Sequence, residues 1–217
     1  MCHRLNVRHT TLTVALAALL TAFAVVADQS RAASTSIQSS CTFLSLSEAI
    51  DAMGVATGKL FSGSAGSDSG GCTYIGSPKR GAAGTYTLTL AVYPPGLTGF
   101  KGFAKAVCKV NPGACKYSRV LLVERDPLRY MRLLYAAVAE AGDVVDFSNT
   151  FPGPGPAFIW QPRPPFVGTV MVFYVPRTKQ FATTFCKRIY GTRGGGHAEE
   201  DCAYVAARNV YLELTVR

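Results

Sequence analysis

Periodic apolar positions divide the chain after residue 40 into short helices and strands. Over residues 45–53 the apolar residues recur at the three- and four-residue spacing of one helical face. Ser45 and Glu48 have the spacing of a capping box, and Gly54 suits the left-handed residue that follows a helix. The pattern therefore predicts a helix over residues 45–53.

Other segments are assigned in the same way. Alternating or β-branched runs predict strands over residues 72–75, 85–93, 118–124, 166–175, 202–205 and 210–216. Helical spacing predicts a helix after an N-cap at Thr98, with Phe100, Phe103, Ala104 and Val107 inward, and another from an N-cap at Asp126 to Gly142, with Pro127 in its first turn. A further helix is predicted from Pro176, with Phe181, Phe185 and Ile189 facing inward. The order of elements predicts an α+β fold with antiparallel sheet.

Two parts of this pattern resemble each other. The segments 70–75 and 85–92 are similar to the segments 201–205 and 209–216, because each pair couples a Cys-x-Tyr run to an alternating run. We interpret this similarity as an internal duplication of two halves.

Residues 151–165 interrupt the pattern with six prolines. Proline excludes a regular helix or a central strand, so we predict a long surface excursion. Phe158, Trp160 and Arg163 are its candidate binding residues, because Trp is enriched at interfaces and Arg offers a fork of donors. In the alternative, Phe158, Ile159 and Trp160 fold back and cap the chain's own core.

The beginning of the chain has the layout of a secretory signal. Arg4 and Arg8 precede an apolar run that ends at Ala27, with a second cleavage position after Ala32. We predict a signal peptide over 1–27, a flexible leader over 28–40 and one α+β domain over 41–217, with the protein periplasmic or secreted. An uncleaved anchor helix is the alternative, although the run is short for a full span.

Export changes how the cysteines are interpreted. An even set remains after the signal, which indicates disulfides in an oxidising compartment. We predict the pairs Cys41–Cys72, Cys108–Cys115 and Cys186–Cys202. A metal site is not predicted, because the chain has no Cys-x-x-Cys and the mature part holds one histidine. No cofactor is predicted either.

The formal net charge of the chain narrows the classes of partner that we predict. Removal of the signal takes away Arg4 and Arg8 and lowers the formal net charge from +9 to +7. This excess favours an anionic envelope polymer, and another envelope protein is the alternative partner. The basic residues form no run, so solubility alone also explains the charge, and specific nucleic-acid binding is not predicted.

Between Cys41 and Tyr74 the chain has a recognisable set of residues: Cys41, Leu44, Glu48-Ala49, Gly54 and the run Gly71-Cys72-Thr73-Tyr74. In these residues the segment resembles small bacterial cell-envelope domains of unknown function, many of them lipoproteins. The resemblance implies an α+β fold with antiparallel sheet and assigns no catalytic residue. The chain departs from those domains in lacking a lipidated cysteine and in having extra cysteines and the proline-rich segment.

Three groups have the residue types of catalytic sites. The segment 68–71 around Ser69 resembles the nucleophile segment of trypsin-like proteases, but there the histidine precedes the serine, whereas His197 follows it. His197 with Glu199, Glu200 and Asp201 forms an acidic loop, and Glu124 with Asp126 forms a carboxylate pair in which Asp126 is better explained as a helix cap. We predict no catalytic residue and an exported, non-catalytic binding or envelope-interaction protein. The alternatives are an exported hydrolase and a secreted protein inhibitor.

Overall fold

The computed structural model describes residues 40–61, 71–77, 84–97, 100–110, 112–163, 167–189 and 196–216. The strands are β1 (Thr57–Phe61), β2 (Cys72–Ser77), β3 (Thr85–Val92), β4 (Gly142–Asp146), β5 (Ala157–Pro162), β6 (Thr169–Val175) and β7 (Gln180–Ile189). The helices are α1 (Leu46–Met53), α2 (Lys101–Val110), α3 (Cys115–Val123), α4 (Pro127–Ala139) and α5 (Gly196–Val216). The predicted α+β class is confirmed.

All seven strands form one antiparallel sheet in the order β1-β2-β3-β7-β6-β5-β4. β1–β3 and β4–β7 are two meanders, and β3 joins them by pairing with β7. Each meander follows a helix, since α1 precedes β1 and α4 precedes β4.

The two faces of the sheet are covered differently. On one face, α1 and α5 pack on a core that extends from Tyr74 in β2 and Leu88 in β3 to Phe173 in β6. On the other face, α2, α3 and α4 pack on a second core that includes Phe158, Val172 and Phe181. Within the described chain this second core takes no residue from β1, β2 or β3, so the helices leave that part of the sheet face uncovered.

Local signals place α1 and the start of α4 as predicted. The Ser45 hydroxyl accepts from the Glu48 amide, the Glu48 carboxylate accepts from the Ser45 amide at 2.8 Å, and Gly54 has φ 61°. Asp126 accepts from the amides of Leu128 and Arg129 and caps α4. The predicted N-cap Thr98 lies outside the described residues, although α2 is present.

The three predicted disulfides are confirmed. Their Cα–Cα distances are 5.2 Å for Cys41–Cys72, 4.6 Å for Cys108–Cys115 and 6.1 Å for Cys186–Cys202. The first ties the segment before α1 to β2, the second joins α2 to α3, and the third joins β7 to α5. The Cys186–Cys202 pair therefore links a strand to a following helix. The predicted order was the reverse, with Cys186 in a helix and Cys202 in a strand.

Two segments predicted as strands are helical. The predicted strand over 118–124 lies in α3, where Leu121 is buried while Val120 and Val123 are exposed. The predicted strands over 202–205 and 210–216 belong to α5, whose buried positions Ala203, Ala206, Ala207, Val210, Tyr211 and Leu214 have helical spacing. The duplication as predicted is therefore wrong, because its second half is a helix rather than a strand pair.

The helix predicted from Pro176 is a hairpin. Residues 176–179 form its turn, with Lys179 at φ 56°, and the chain continues as β7. Phe181 and Phe185 are four residues apart, a spacing that suits one face of a strand as well as one face of a helix. Pairing with both β3 and β6 decides for the strand.

The proline-rich segment is only partly a surface excursion. β5 lies inside the sheet between β4 and β6, and all of its residues from Ala157 to Trp160 are buried. Pro152, Pro154 and Pro156 precede this strand and Pro162 ends it, so proline flanks the ladder instead of interrupting it. The expectation that this segment holds no central strand is wrong.

Gly142 begins β4 and does not end the preceding helix, which stops at Ala139. A Cβ atom at Gly142 would lie 2.0 Å from the carbonyl oxygen of Gln161. Close pairing with β5 is therefore the reason for this glycine.

Candidate functional site

The uncovered part of the sheet carries a row of side chains that runs across four strands. The register pairs Lys59 with Ile75, Ile75 with Thr87, and Thr87 with Lys187. Residues paired in antiparallel strands share a face, so these four side chains lie on one side of the sheet. Lys59 and Lys187 therefore lie at the two ends of the row, and the aliphatic Ile75 and the hydroxyl-bearing Thr87 lie between them.

The next row adds two more hydroxyls. Thr73 pairs with Thr89, and their side-chain oxygens lie 3.3 Å apart. Thr89 in turn pairs with Phe185, whose ring is half-buried. We name the lysine–threonine patch for its six residues: Lys59, Thr73, Ile75, Thr87, Thr89 and Lys187.

The charges of the patch are accessible, and no counterion is found for them among the described residues. Lys59 is exposed and Lys187 is half-buried, as are Thr73, Ile75, Thr87 and Thr89. Neither lysine forms an ion pair within the described part of the chain. An anionic ligand would therefore gain two charge contacts without displacing a carboxylate of the described residues.

Neighbouring helices add to the positive potential. α2 and α3 pack on the same side of the sheet as the patch. Among the described side chains, their basic residues are Lys101, Lys105, Lys116 and Arg119, of which Lys116 is paired with Glu140, and neither helix contains an acidic residue. Charges of one sign on one side of a protein attract the opposite sign over longer distances than direct contacts do.

A cavity of about 230 Å³ adjoins the Lys59 end of the row. It is lined by Thr57, Gly58, Lys59, Ile75 and Ser77. Pockets that enclose a small molecule usually have about 300–1,000 Å³. Because this cavity is smaller than such pockets, it suits a ligand that lies along the surface better than a ligand that is enclosed.

The predicted binding residues are split between core and surface. Phe158 is 2% and Trp160 5% exposed, and the Trp160 ring meets Phe103 edge-on at 6.5 Å between centroids. The structure thus agrees with the alternative prediction, in which Phe158 and Trp160 belong to the chain's own core. Only Arg163 remains exposed, so a partner surface at this segment stays a prediction for Arg163 alone.

The carboxylates with catalytic residue types have structural partners. Glu124 accepts from the amides of Arg125 and Asp126, and these hydrogen bonds, led by the Asp126 amide, lower the pKa of Glu124. A general acid would need a raised pKa at this position. Asp126 caps α4, as predicted.

The acidic group near His197 also has structural partners. Glu199 accepts from the Arg188 amide at 2.8 Å, and Glu200 accepts from the Gln161 side chain at 2.5 Å. Both contacts fasten the start of α5 to the sheet. Ser69 and the side chain of His197 lie outside the described residues.

Buried tyrosines form a neutral cluster in the second core. Burial raises the pKa of Tyr93 to about 12, and a hydrogen bond with Thr183 opposes that rise. Burial also raises the pKa of Tyr130, and the nearby Tyr93 adds to it. Both hydroxyls therefore stay protonated at neutral pH.

Comparisons with protein-family models, with curated proteins and with solved structures each gave no match. The resemblance to bacterial envelope domains therefore stays a prediction. Within the described residues, His, Cys, Asp and Glu side chains form no cluster of three or more that could hold a metal ion. No helix in the described ranges has the length and apolarity to cross a membrane.

The lysine–threonine patch was missed at the sequence level. One signal was available, because alternation in Thr85-Tyr86-Thr87-Leu88-Thr89 puts three threonines on one face of a strand. Lys59 and Lys187 are 128 positions apart in the numbering. Only the strand order brings them to one row.

Proposed function

We propose that the chain is an exported, non-catalytic binding protein of the cell envelope, and that the lysine–threonine patch binds an anionic polymer there. The signal-like residues 1–27 support export, and the three disulfides are compatible with an oxidising compartment. The proposal of export and envelope location thus rests on the signal-like sequence and on the disulfides.

One observation carries the choice of ligand. Lys59 and Lys187 are two cations on one uncovered sheet face, and within the described residues neither has a carboxylate partner. The basic helices α2 and α3 extend the same sign of charge on that side. A polymer with repeated negative charges matches such a surface, because it can contact several cations at once.

A non-catalytic role agrees with the positions of the acidic residues. Glu124, Asp126, Glu199 and Glu200 each accept hydrogen bonds that hold helices or strands in place. These hydrogen bonds give each of the four carboxylates a structural role. An inhibitor would expose a rigid aromatic loop, whereas Phe158 and Trp160 are in the core.

The test uses the exported protein as its host cell processes it, with polygalacturonate as the anionic probe and dextran as the neutral one. We expect binding of polygalacturonate that weakens with salt, and no binding of dextran. Lys59→Glu should weaken binding at least about fivefold, the factor that matches roughly 1 kcal/mol per exposed ionic contact.

Arg208→Glu is the matched control, because Arg208 is exposed on α5 and its substitution changes the net charge equally. Equal weakening by Lys59→Glu and Arg208→Glu would mean that overall charge, rather than the patch, attracts the polymer. An absence of binding to polygalacturonate and to poly-L-glutamate alike would overturn the proposed function, because both are anionic polymers.

A further inference from the structure

The two lysines of the patch lie on strands that are three intervals apart in the sheet. β2 and β3 separate β1 from β7, and neighbouring strands lie about 4.8 Å apart, so the Lys59 and Lys187 backbones are roughly 14 Å apart. Side chains of a strand stand roughly perpendicular to the sheet, so a ligand that meets both cations in that arrangement spans three strand intervals.

The surface between the lysines is rich in hydroxyls. Thr87 lies in the row itself, and the Thr73–Thr89 pair lies in the next row. A hydroxyl both donates and accepts, so it pairs well with other hydroxyls. Ile75 offers the apolar contact of the row.

We infer that one chain of a carboxylate-bearing polysaccharide crosses β1, β2, β3 and β7, with its acidic groups on Lys59 and Lys187 and its hydroxyls on the threonines between them. This inference rests on the proposed function. Sugar hydroxyls match the threonine hydroxyls, whereas an acidic peptide offers carboxylates without hydroxyls along its chain. An anionic lipid surface would favour exposed apolar side chains for insertion, and Ile75 is half-buried.

Chain length gives the first test. Binding of galacturonate monomer is compared with that of oligogalacturonate of about ten sugars, at equal uronate concentration, by titration calorimetry. A chain that reaches both lysines should bind at least about tenfold tighter than the monomer, because the second contact is intramolecular. Either Lys59→Ala or Lys187→Ala should remove most of that advantage. An unchanged advantage in Lys187→Ala would overturn the crossing path.

Ligand chemistry gives the second test. Thr87→Val removes the hydroxyl of the row and keeps the β-branched shape. We expect it to weaken oligogalacturonate several-fold and to leave binding of poly-L-glutamate unchanged. Equal affinity for poly-L-glutamate and oligogalacturonate would overturn the polysaccharide and leave the proposed function standing.

Two further outcomes separate the proposals. Binding to phosphatidylserine-containing vesicles without binding to oligogalacturonate would assign the patch to a lipid surface and overturn the inference. If neither acidic polymer binds, the proposed function fails as well. The unfolding midpoint of each variant, measured alongside, shows that the fold is intact, and Thr89→Val provides a second hydroxyl variant if Thr87→Val unfolds.

Discussion

The second core depends on Phe181, and we predict a large loss of stability in Phe181→Ala. The side chain is fully buried in β7. Its ring stacks on Phe100, the residue before α2, at 4.6 Å, tilts against Tyr174 from β6 at 4.7 Å and meets Tyr130 from α4 edge-on at 5.9 Å. Phe181 thus connects α4 and the residue that precedes α2 to the sheet.

The magnitude follows from burial and from these ring contacts. Truncation of a buried Phe to Ala costs about 3–5 kcal/mol, because it removes buried apolar area and leaves a cavity. Aromatic pairs contribute about 0.5–1.5 kcal/mol beyond area, which puts Phe181 towards the upper end. Phe181→Leu keeps most of the volume and should cost about 1–2 kcal/mol.

Urea unfolding measures the loss, with the fluorescence of Trp160 as the signal. Trp160 is the single tryptophan of the chain and is 5% exposed in the same core. Val123→Ala is the control, because Val123 is 74% exposed and its loss should change stability by less than about 0.5 kcal/mol. A loss below about 1 kcal/mol in Phe181→Ala, with an unchanged slope, would refute the packing described for this core.

Two further predictions concern the first core and the disulfides. Tyr74→Phe should cost about 1–2 kcal/mol at pH 7, because the Tyr74 hydroxyl donates to the buried carbonyl of Leu44. Burial raises the pKa of Tyr74 from 10.0 to about 12, so this contribution is complete below pH 10 and is lost as the pH rises through about 12. Unfolding curves across that range should show the gap between wild type and variant narrowing, and a constant gap would contradict the assignment. Replacing the cysteine pairs with alanines should cost about 4, 3 and 2 kcal/mol for Cys41–Cys72, Cys186–Cys202 and Cys108–Cys115, following their separations of 31, 16 and 7 residues. Urea unfolding that gives the reverse order would show that loop closure does not govern their effect.

Elements with local signals were predictable from the sequence. α1 follows from the Ser45–Glu48 capping box and Gly54, and the start of α4 follows from Asp126 before Pro127. β3 follows from its strict alternation. In each case the residues that define the element lie within a few positions of one another, so distant parts of the chain do not alter the outcome.

The disulfide pairs were predictable for a related reason. Cys108 and Cys115 are seven residues apart, and the pairing of near neighbours along the chain was correct for all three pairs. A short loop limits the partners that a cysteine can reach.

Other segments were decided by tertiary packing. The spacing of Phe181 and Phe185 fits a strand face and a helix face equally, and only pairing with β3 and β6 makes the segment β7. Residues 202–216 contain β-branched and aromatic residues typical of strands, yet burial of one helical stripe against the sheet makes them α5. Propensity is a weak preference, and burial of apolar area outweighs it.

The candidate site depends on tertiary structure even more. The sequence by itself determined an excess of positive charge, three disulfides and a strand with threonines on one face. It could not place Lys59 and Lys187 in one row, because strand order and register arise from long-range pairing that no local pattern encodes. The fold decided that row, and within the described residues the helices leave it uncovered because α2, α3 and α4 pack on the other half of the same sheet face.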